Sequence, residues 1–436
     1  MAAVVQRKHL VWIAVWALTR FFMVAQAGFW NHATGPQLQD VYVFRAWSDQ
    51  LATLHTMPVG DSWQYPPLVA FLLLLPRVSG AAYGPSFVGL MVLVDLAGLA
   101  LLAVLARREQ RDWGVWAWLL LMPCMGAIPL LRFDLVPTVL AIGALLFAGR
   151  RALWLGALAG AGAMLKVWPA LVLIAEWDRR RLVRAVIAGL VVVVAVLVAA
   201  QLAFGGLGGV LGHQEHRGLQ LEAVLATPWH VRQLITGQQV TTVFRNGTNE
   251  LTGSLADTLA GLLRWVTLAL GACVVAWWVA RERAVRPDGR DGDRGAGAGG
   301  VGAGAGGVAA GAGGVGAGAP YLTTLAAGRD AAFTVVLLSV VVSRVLSPQY
   351  LIWLVGLVAV VLCSRETRLT RPALIVGAAV VMTVGLYDAS PTLQLDHVTP
   401  ATLVLRNVAL LLAALDAAVV MARAVWTQRA DRYSRR

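Results

Sequence analysis

Charge is scarce in this chain. Only 14% of its 436 residues are charged, while 58% are hydrophobic; soluble domains carry about 25% charged and roughly 45–50% apolar residues. With long apolar runs recurring along the whole length, this shortage excludes a soluble globular body and points to a polytopic membrane protein. Cysteine is sparse too. Cys124, Cys273 and Cys363 are scattered through apolar segments without metal-ligand spacing, and read as buried thiols. No HExxH, Walker loop, GxGxxG or GxSxG occurs, so zinc-peptidase and cytoplasmic nucleotide chemistry have no support. The net charge of +13 comes without an aromatic-interleaved basic face, which argues against nucleic acid.

What charge there is falls in short basic runs between apolar segments: "QRKHL", "ARREQR", "GRR", "DRRRLVR", "RERAVR", "SRETRLTR" and the tail "RADRYSRR". These read as cytoplasmic loops under the positive-inside rule. Residues 10–27 form a first span. "AQA" at 25–27 resembles a signal cleavage site, but Arg20 interrupts the apolar stretch and many spans follow, so the segment reads as a retained helix. Residues 28–64 are then an outer loop. "YPPLVAFLLLLP" (65–76) is too short to span and fits a half-buried segment. Spans follow over 85–106, 114–131 and 135–149.

The stretch 152–177 has arginines on both sides. A single crossing would put one cluster outside and invert every later loop. Two short helices meeting at "LKVWP" keep all clusters cytoplasmic, and glycines, Lys166 and Pro169 favour a break there. Further spans are expected at 183–204, 258–280, 330–346, 350–363, 372–387 and 400–422, with a long outer loop over 205–256 and both termini cytoplasmic. The nine-residue string GAGGVGAGA occurs at 297 and again at 311, in a Gly/Ala tract with no apolar periodicity. The organisation is therefore an N-terminal membrane module over 1–284 with outer loops 28–64 and 205–256, a flexible cytoplasmic linker over 285–319 and C-terminal membrane helices over 320–436.

This topology gathers polar residues of both signs on the outer face, as a polar substrate requires. After Asp40, the residues Phe44, Trp47, Leu51 and Leu54 recur at helical spacing, as in an amphipathic helix on the membrane surface. Asp40 has two readings, an N-cap of that helix and a general base at the membrane–water boundary. In "RFD", Asp134 can cap the helix beginning at Leu135 with Arg132 as its ion-pair partner, while Arg132 can equally meet an anionic head group. Lys166 and Trp168 sit at the break between half-length helices; the lysine either snorkels or faces an aqueous cavity. His213 and His216 are three apart, but no matching Cys or His pair follows, so a cationic patch with Arg217 beside Glu222 is the more economical reading than a metal site. Arg344 in "SRVLSPQY" stands about one turn before an outer helix end, followed by Gln349 and Tyr350. "NGT" at 246–248 is a weak glycosylation signal.

The ordered series "LQDVYVFRAW", "YPPL", "RFDLVP", "MLKVWP", "HRGLQLE" and "SPQYLIWL" resembles the actinobacterial polyprenyl-phosphate-mannose-dependent mannosyltransferases of glycosyltransferase family 87. The resemblance implies an all-α polytopic GT-C bundle of about 10–12 spans in the plasma membrane, with an outer-face amphipathic helix and loops. It implies a hexosyltransferase that uses a polyprenyl-phosphate sugar donor and a glycan or glycolipid acceptor within the lipid bilayer. The active site would be extracytoplasmic, with no metal and no cofactor. The essential aspartate of that family maps onto Asp40, although Asp49 and Asp61 share its loop. The substrate-binding set expected on this reading is Arg45, Asp49, Tyr65, Arg132, Asp134, Lys166, Trp168, His213, His216, Arg217, Glu222, Arg344, Gln349 and Tyr350. The rival readings are a multispan transporter or lipid-linked sugar flippase, which would show internal repeats and charges in both halves, and a structural membrane protein whose outer loops dock a partner.

Overall fold

The computed structural model describes residues 2–32, 39–58, 63, 65–205, 218–245, 248–285, 321–387 and 398–434. In chain order its helices are α1 (Ala2–His32), α2 (Gln39–Leu54), α3 (Leu68–Leu74), α4 (Tyr83–Glu109), α5 (Trp113–Leu121), α6 (Ile128–Leu131), α7 (Leu135–Phe147) and α8 (Ala152–Ala163). They continue as α9 (Arg179–Phe204), α10 (Thr227–Thr236), α11 (Ser254–Val285), α12 (Leu325–Val341), α13 (Tyr350–Cys363), α14 (Thr370–Tyr387) and α15 (Val398–Ser434). The fold is an all-α polytopic membrane bundle. Stretches in α1, α4, α9, α11 and α15 are long and apolar enough to cross a bilayer, and shorter apolar helices fill in between them.

Burial sorts these helices. In α13 every residue from Leu351 to Cys363 is buried, as expected of a helix apolar all round. By contrast α9 and α11 expose most of their apolar side chains, including Leu190, Val191, Leu202, Trp265 and Leu268. Those faces meet lipid. Cys273 lies on α11 and is exposed, contrary to the expectation of a buried thiol; Cys363 is buried and Cys124 is half-buried.

Residues 152–177 form a hairpin. α8 ends at Ala163, and a 3-10 helix (Trp168–Ala175) carries the chain back. The two arms return to one end of the bundle, where the Gly149 N–H donates to Glu176 Oε2 at 2.9 Å. Small residues let α8 lie against α9: a Cβ on Gly156 would stand 1.8 Å from the Ala185 carbonyl oxygen. The short segment after "YPP" meets the hairpin at its break, the Leu68 N–H donating to the Met164 carbonyl at 3.1 Å.

Other expectations are corrected. The run 114–131 is not one helix; Pro123 and Pro129, with Gly126 at φ +58°, divide it into α5, a 3-10 turn and α6. α12 ends at Val341, so Arg344 lies beyond the helix. The expected loop 205–256 contains α10 and an antiparallel hairpin, β1 (Thr242–Arg245) with β2 (Thr248–Leu251), in which Arg245 pairs with Thr248. α2 buries Phe44 and Leu51 against the bundle, with Phe44 packed on Phe87 of α4. Nearly all of the 285–319 linker lies outside the described residues.

A buried arginine–carboxylate pair in the apolar interior joins three helices. Arg20 of α1 donates through Nε to Asp95 Oδ2 at 2.9 Å and through Nη2 to Oδ1 at 3.0 Å, and both side chains are buried. Arg20 also reaches the Leu119 carbonyl of α5 at 3.2 Å, and Trp16 Nε1 donates to the same carboxylate. Removing one partner of a buried pair costs about 3–5 kcal/mol, whereas replacing both by apolar residues of similar volume is often neutral. Asp95→Ala should therefore sharply lower the yield and melting temperature of detergent-purified protein. The double change Arg20→Met with Asp95→Leu should restore most of the loss.

Candidate functional site

Four charged side chains from three separate segments gather where the two broken segments meet. Asp40 comes from the first turn of α2, one residue inside the helix rather than at its cap. Arg132 and Asp134 come from the link between α6 and α7. Lys166 comes from the break in the 152–177 hairpin, between α8 and the 3-10 helix.

The pairing is crossed relative to the sequence. Arg132 does not pair with Asp134, two residues away; its Nη1 contacts Asp40 Oδ2. Arg132 is extended, at φ −128° and ψ +143°, whereas Asp134 already has helical dihedrals, at φ −61° and ψ −20°, so the period-two alternation that would put the two side chains on one face is broken between them. Asp134 makes no capping hydrogen bond to α7. Its Oδ1 accepts from Lys166 Nζ at 2.7 Å and from Trp353 Nε1 at 2.7 Å. The Asp134 side chain is 2% exposed and that of Lys166 12%, so the lysine neither snorkels to a water boundary nor faces open solvent.

Aromatic rings surround the ammonium group. Lys166 Nζ lies 5.3 Å from the Phe133 and Trp353 ring centres, 5.5 Å from Tyr350 and 5.7 Å from Tyr65, within the range of cation–π attraction. Trp353 is stacked between Tyr350, at 4.0 Å, and Trp168, at 5.3 Å. Tyr65 packs edge-on against Phe133, and Phe133 against Phe44 of α2. These rings join the Asp40 helix to the Lys166 break. Two indole N–H groups at this cluster, on Trp63 and Trp168, are buried with no hydrogen-bond acceptor.

Asp40, Tyr65, Arg132, Asp134, Lys166, Trp168 and Tyr350 are thus assembled as one site, with Gln349 at the N-terminus of α13 beside Tyr350. Arg45 and Asp49 are placed elsewhere. Asp49 follows Asp40 by two and a half turns of α2, which puts it on the opposite face; it is half exposed and pairs with Arg77, with Arg45 at 3.9 Å. Glu222 binds the buried Arg406 of α15, at 3.3 Å through Oε2 and 2.7 Å through its carbonyl. His230 is buried against the Leu221 carbonyl at 2.8 Å, and burial pushes its pKa below the usual histidine value. These contacts fasten the 219–230 segment to the bundle. Arg344 lines a different cavity. His213, His216, Arg217 and Asp61 lie outside the described residues.

Two members of the cluster, Phe133 and Trp353, are absent from the sequence-derived set. Trp353 stands three residues after Tyr350, hence on the same helical face, and "SPQYLIWL" carried that signal. Among the described residues, no group of three or more His, Cys, Asp or Glu could hold a metal ion. The assembled groups offer carboxylates to take a proton, cations to meet an anion, and flat apolar faces to hold a ring.

The family model described as Glycosyltransferase family 87 matches residues 63–298, more than half of the chain. That stretch holds Tyr65, Arg132, Asp134, Lys166 and Trp168, and leaves Asp40, Tyr350 and Trp353 outside it. No curated protein and no solved structure matches the chain. The chain belongs to glycosyltransferase family 87 and is a membrane glycosyltransferase.

The crossed pairing has a measurable consequence. Lys166→Met leaves the Asp134 carboxylate buried with the Trp353 indole as its remaining donor, and should cost about 3–5 kcal/mol. Trp353→Phe removes one hydrogen bond to a charged group, about 1.5–3 kcal/mol. Thermal unfolding in detergent should rank the two in that order, with Arg132→Met milder than either because Asp40 is a quarter exposed.

Proposed function

We propose that this member of glycosyltransferase family 87 moves a mannosyl group from a polyprenyl-phosphate sugar to a glycan or glycolipid acceptor, with inversion, at the extracytoplasmic face of the plasma membrane. The observation that carries the reading is the gathering of Asp40–Arg132 and Asp134–Lys166 into one aromatic-walled site from segments far apart in sequence. A transferase using a lipid phosphate needs a base and a stabiliser of the departing anion at one place, beside the bilayer.

On this reading the acceptor hydroxyl oxygen attacks the anomeric carbon as the bond from that carbon to the phosphate oxygen breaks. The bonding electron pair leaves with the phosphate, and the hydroxyl proton passes to the Asp40 carboxylate. The leaving phosphate needs charge neutralisation more than protonation, and on this reading Arg132 and Lys166 supply it, exchanging part of their contact with Asp40 and Asp134 for the phosphate oxygens. Asp134 has the supporting part of holding Lys166 at the break. Attack on a β-linked mannosyl phosphate gives an α-mannoside. Tyr65, Tyr350 and the stacked Trp168 and Trp353 offer apolar faces to the sugar ring. The family match supports a transferase over a transporter or flippase.

Membranes holding the protein, supplied with radiolabelled polyprenyl phosphomannose and a mannoside acceptor, test the reading. Asp40→Asn should lower the turnover by about 10²–10⁴-fold, the usual contribution of a positioned base, with expression unchanged. Full activity in Asp40→Asn removes that residue from the chemistry. Solute uptake without sugar transfer would replace the enzyme by a transporter.

A further inference from the structure

One oxygen of the Asp134 carboxylate accepts two hydrogen bonds. Lys166 Nζ and Trp353 Nε1 both reach Oδ1 at 2.7 Å. The first donor is charged and the second neutral, and they differ in their freedom to leave. Lys166 sits at the break of the hairpin and is 12% exposed, while Asp134 is 2% exposed. Of the pair, the lysine is the member that an anion entering the site can reach. Trp353 is buried and pinned. Its ring is stacked on Tyr350 and on Trp168, each at an interplanar angle of 20°. Tyr350 belongs to α13, and Trp168 to the 3-10 helix beyond the break. The stack fixes the indole plane, so the N–H stays on Asp134.

The other ion pair of the site differs. Asp40 and Arg132 are each about a quarter exposed, so solvent can take over from either partner. Asp134 has no such cover. A buried carboxylate that loses its cation is strongly destabilised unless another donor remains. On the transferase reading, on which this inference rests, a partial loss belongs to the reaction itself. The donor phosphate is a diester with a single negative charge. As its bond to the anomeric carbon breaks, the electron pair passes to the phosphate oxygen, and the departing monoester carries about −1.5 to −2 charges at pH 7. The pull on Lys166 rises towards the transition state, and its hold on Asp134 weakens in step.

We propose that Trp353 is a positioning residue of the transfer: its indole N–H holds the Asp134 carboxylate while Lys166 turns part of its charge to the leaving phosphate. Trp353 acts through Asp134 and Lys166, so its effect falls on bond breaking rather than on donor binding.

The test measures kcat and the donor KM separately. Full-length protein in membranes is given radiolabelled polyprenyl phosphomannose and a mannoside acceptor, and rates are normalised to folded protein counted by gel filtration. Trp353→Phe keeps a ring in the stack and removes the N–H. It should lower kcat about tenfold and leave the donor KM within about twofold. In an Asp134→Asn background no charge needs holding, and the same change should lower kcat by less than about threefold. A loss caused by disturbed packing alone would be equal in both backgrounds. Benzothienylalanine in place of Trp353 keeps the indole shape, with sulfur where the N–H stood. It should reproduce the loss of kcat, and it decides the matter if Trp353→Phe does not fold. Unchanged kcat, a rise in KM alone, or equal losses in the two backgrounds would overturn the assignment. Transfer by the parent protein and its loss in Asp40→Asn leave the transferase reading standing whatever Trp353 shows. No transfer by the parent overturns that reading and this inference with it.

Discussion

A lysine ammonium deep in an apolar bundle must be neutralised where it stands, and the Asp134–Lys166 contact does this. Much of the local architecture follows. The hairpin breaks at Lys166, between α8 and the 3-10 helix, and at that break the lysine meets Asp134. The break leaves the Met164 carbonyl for the Leu68 N–H, which holds the short segment of α3 at the same level. Trp353 donates to the same carboxylate and brings the fully buried α13 to the site. With Asp134 committed to Lys166, Arg132 turns the other way and meets Asp40.

The sequence carried some of this plainly. The hairpin at 152–177 was legible because arginines on both sides leave few topologies, and glycine with proline shows where the chain can turn. The membership of Tyr65, Asp134, Lys166 and Trp168 in one site was legible as polar or aromatic residues beside helix breaks. The partners were not. Arg132 and Asp134 are two residues apart, but the backbone changes from extended to helical between them, and the packing of α2 and the hairpin selects the new partners. Asp40 was preferred over Asp49 as the base, but Asp49 was still expected in the substrate-binding set, and helical phase puts it on the far side of α2. The β1–β2 hairpin was not anticipated, because its two four-residue strands lie in a stretch that reads as loop.

Several conspicuous polar residues prove to be fasteners. Arg406 of α15 is fully buried and holds Glu222, while Asn407 beside it donates to the Ala223 carbonyl at 3.2 Å and to Thr227 at 3.1 Å. At another junction Arg329 of α12 reaches Glu109 of α4 and Ser364, at 2.7 and 2.9 Å. In a bundle whose helices are otherwise as apolar as the lipid, such pairs specify which helix faces meet, since apolar burial alone discriminates weakly there.

The Arg20–Asp95 pair bears on biogenesis. An arginine midway along the first helix makes that helix a poor solitary resident of hydrocarbon, and its counter-charge is made 75 residues later. The charge of the first helix is therefore balanced only when α4 lies beside it, and neither helix is a self-sufficient resident of hydrocarbon.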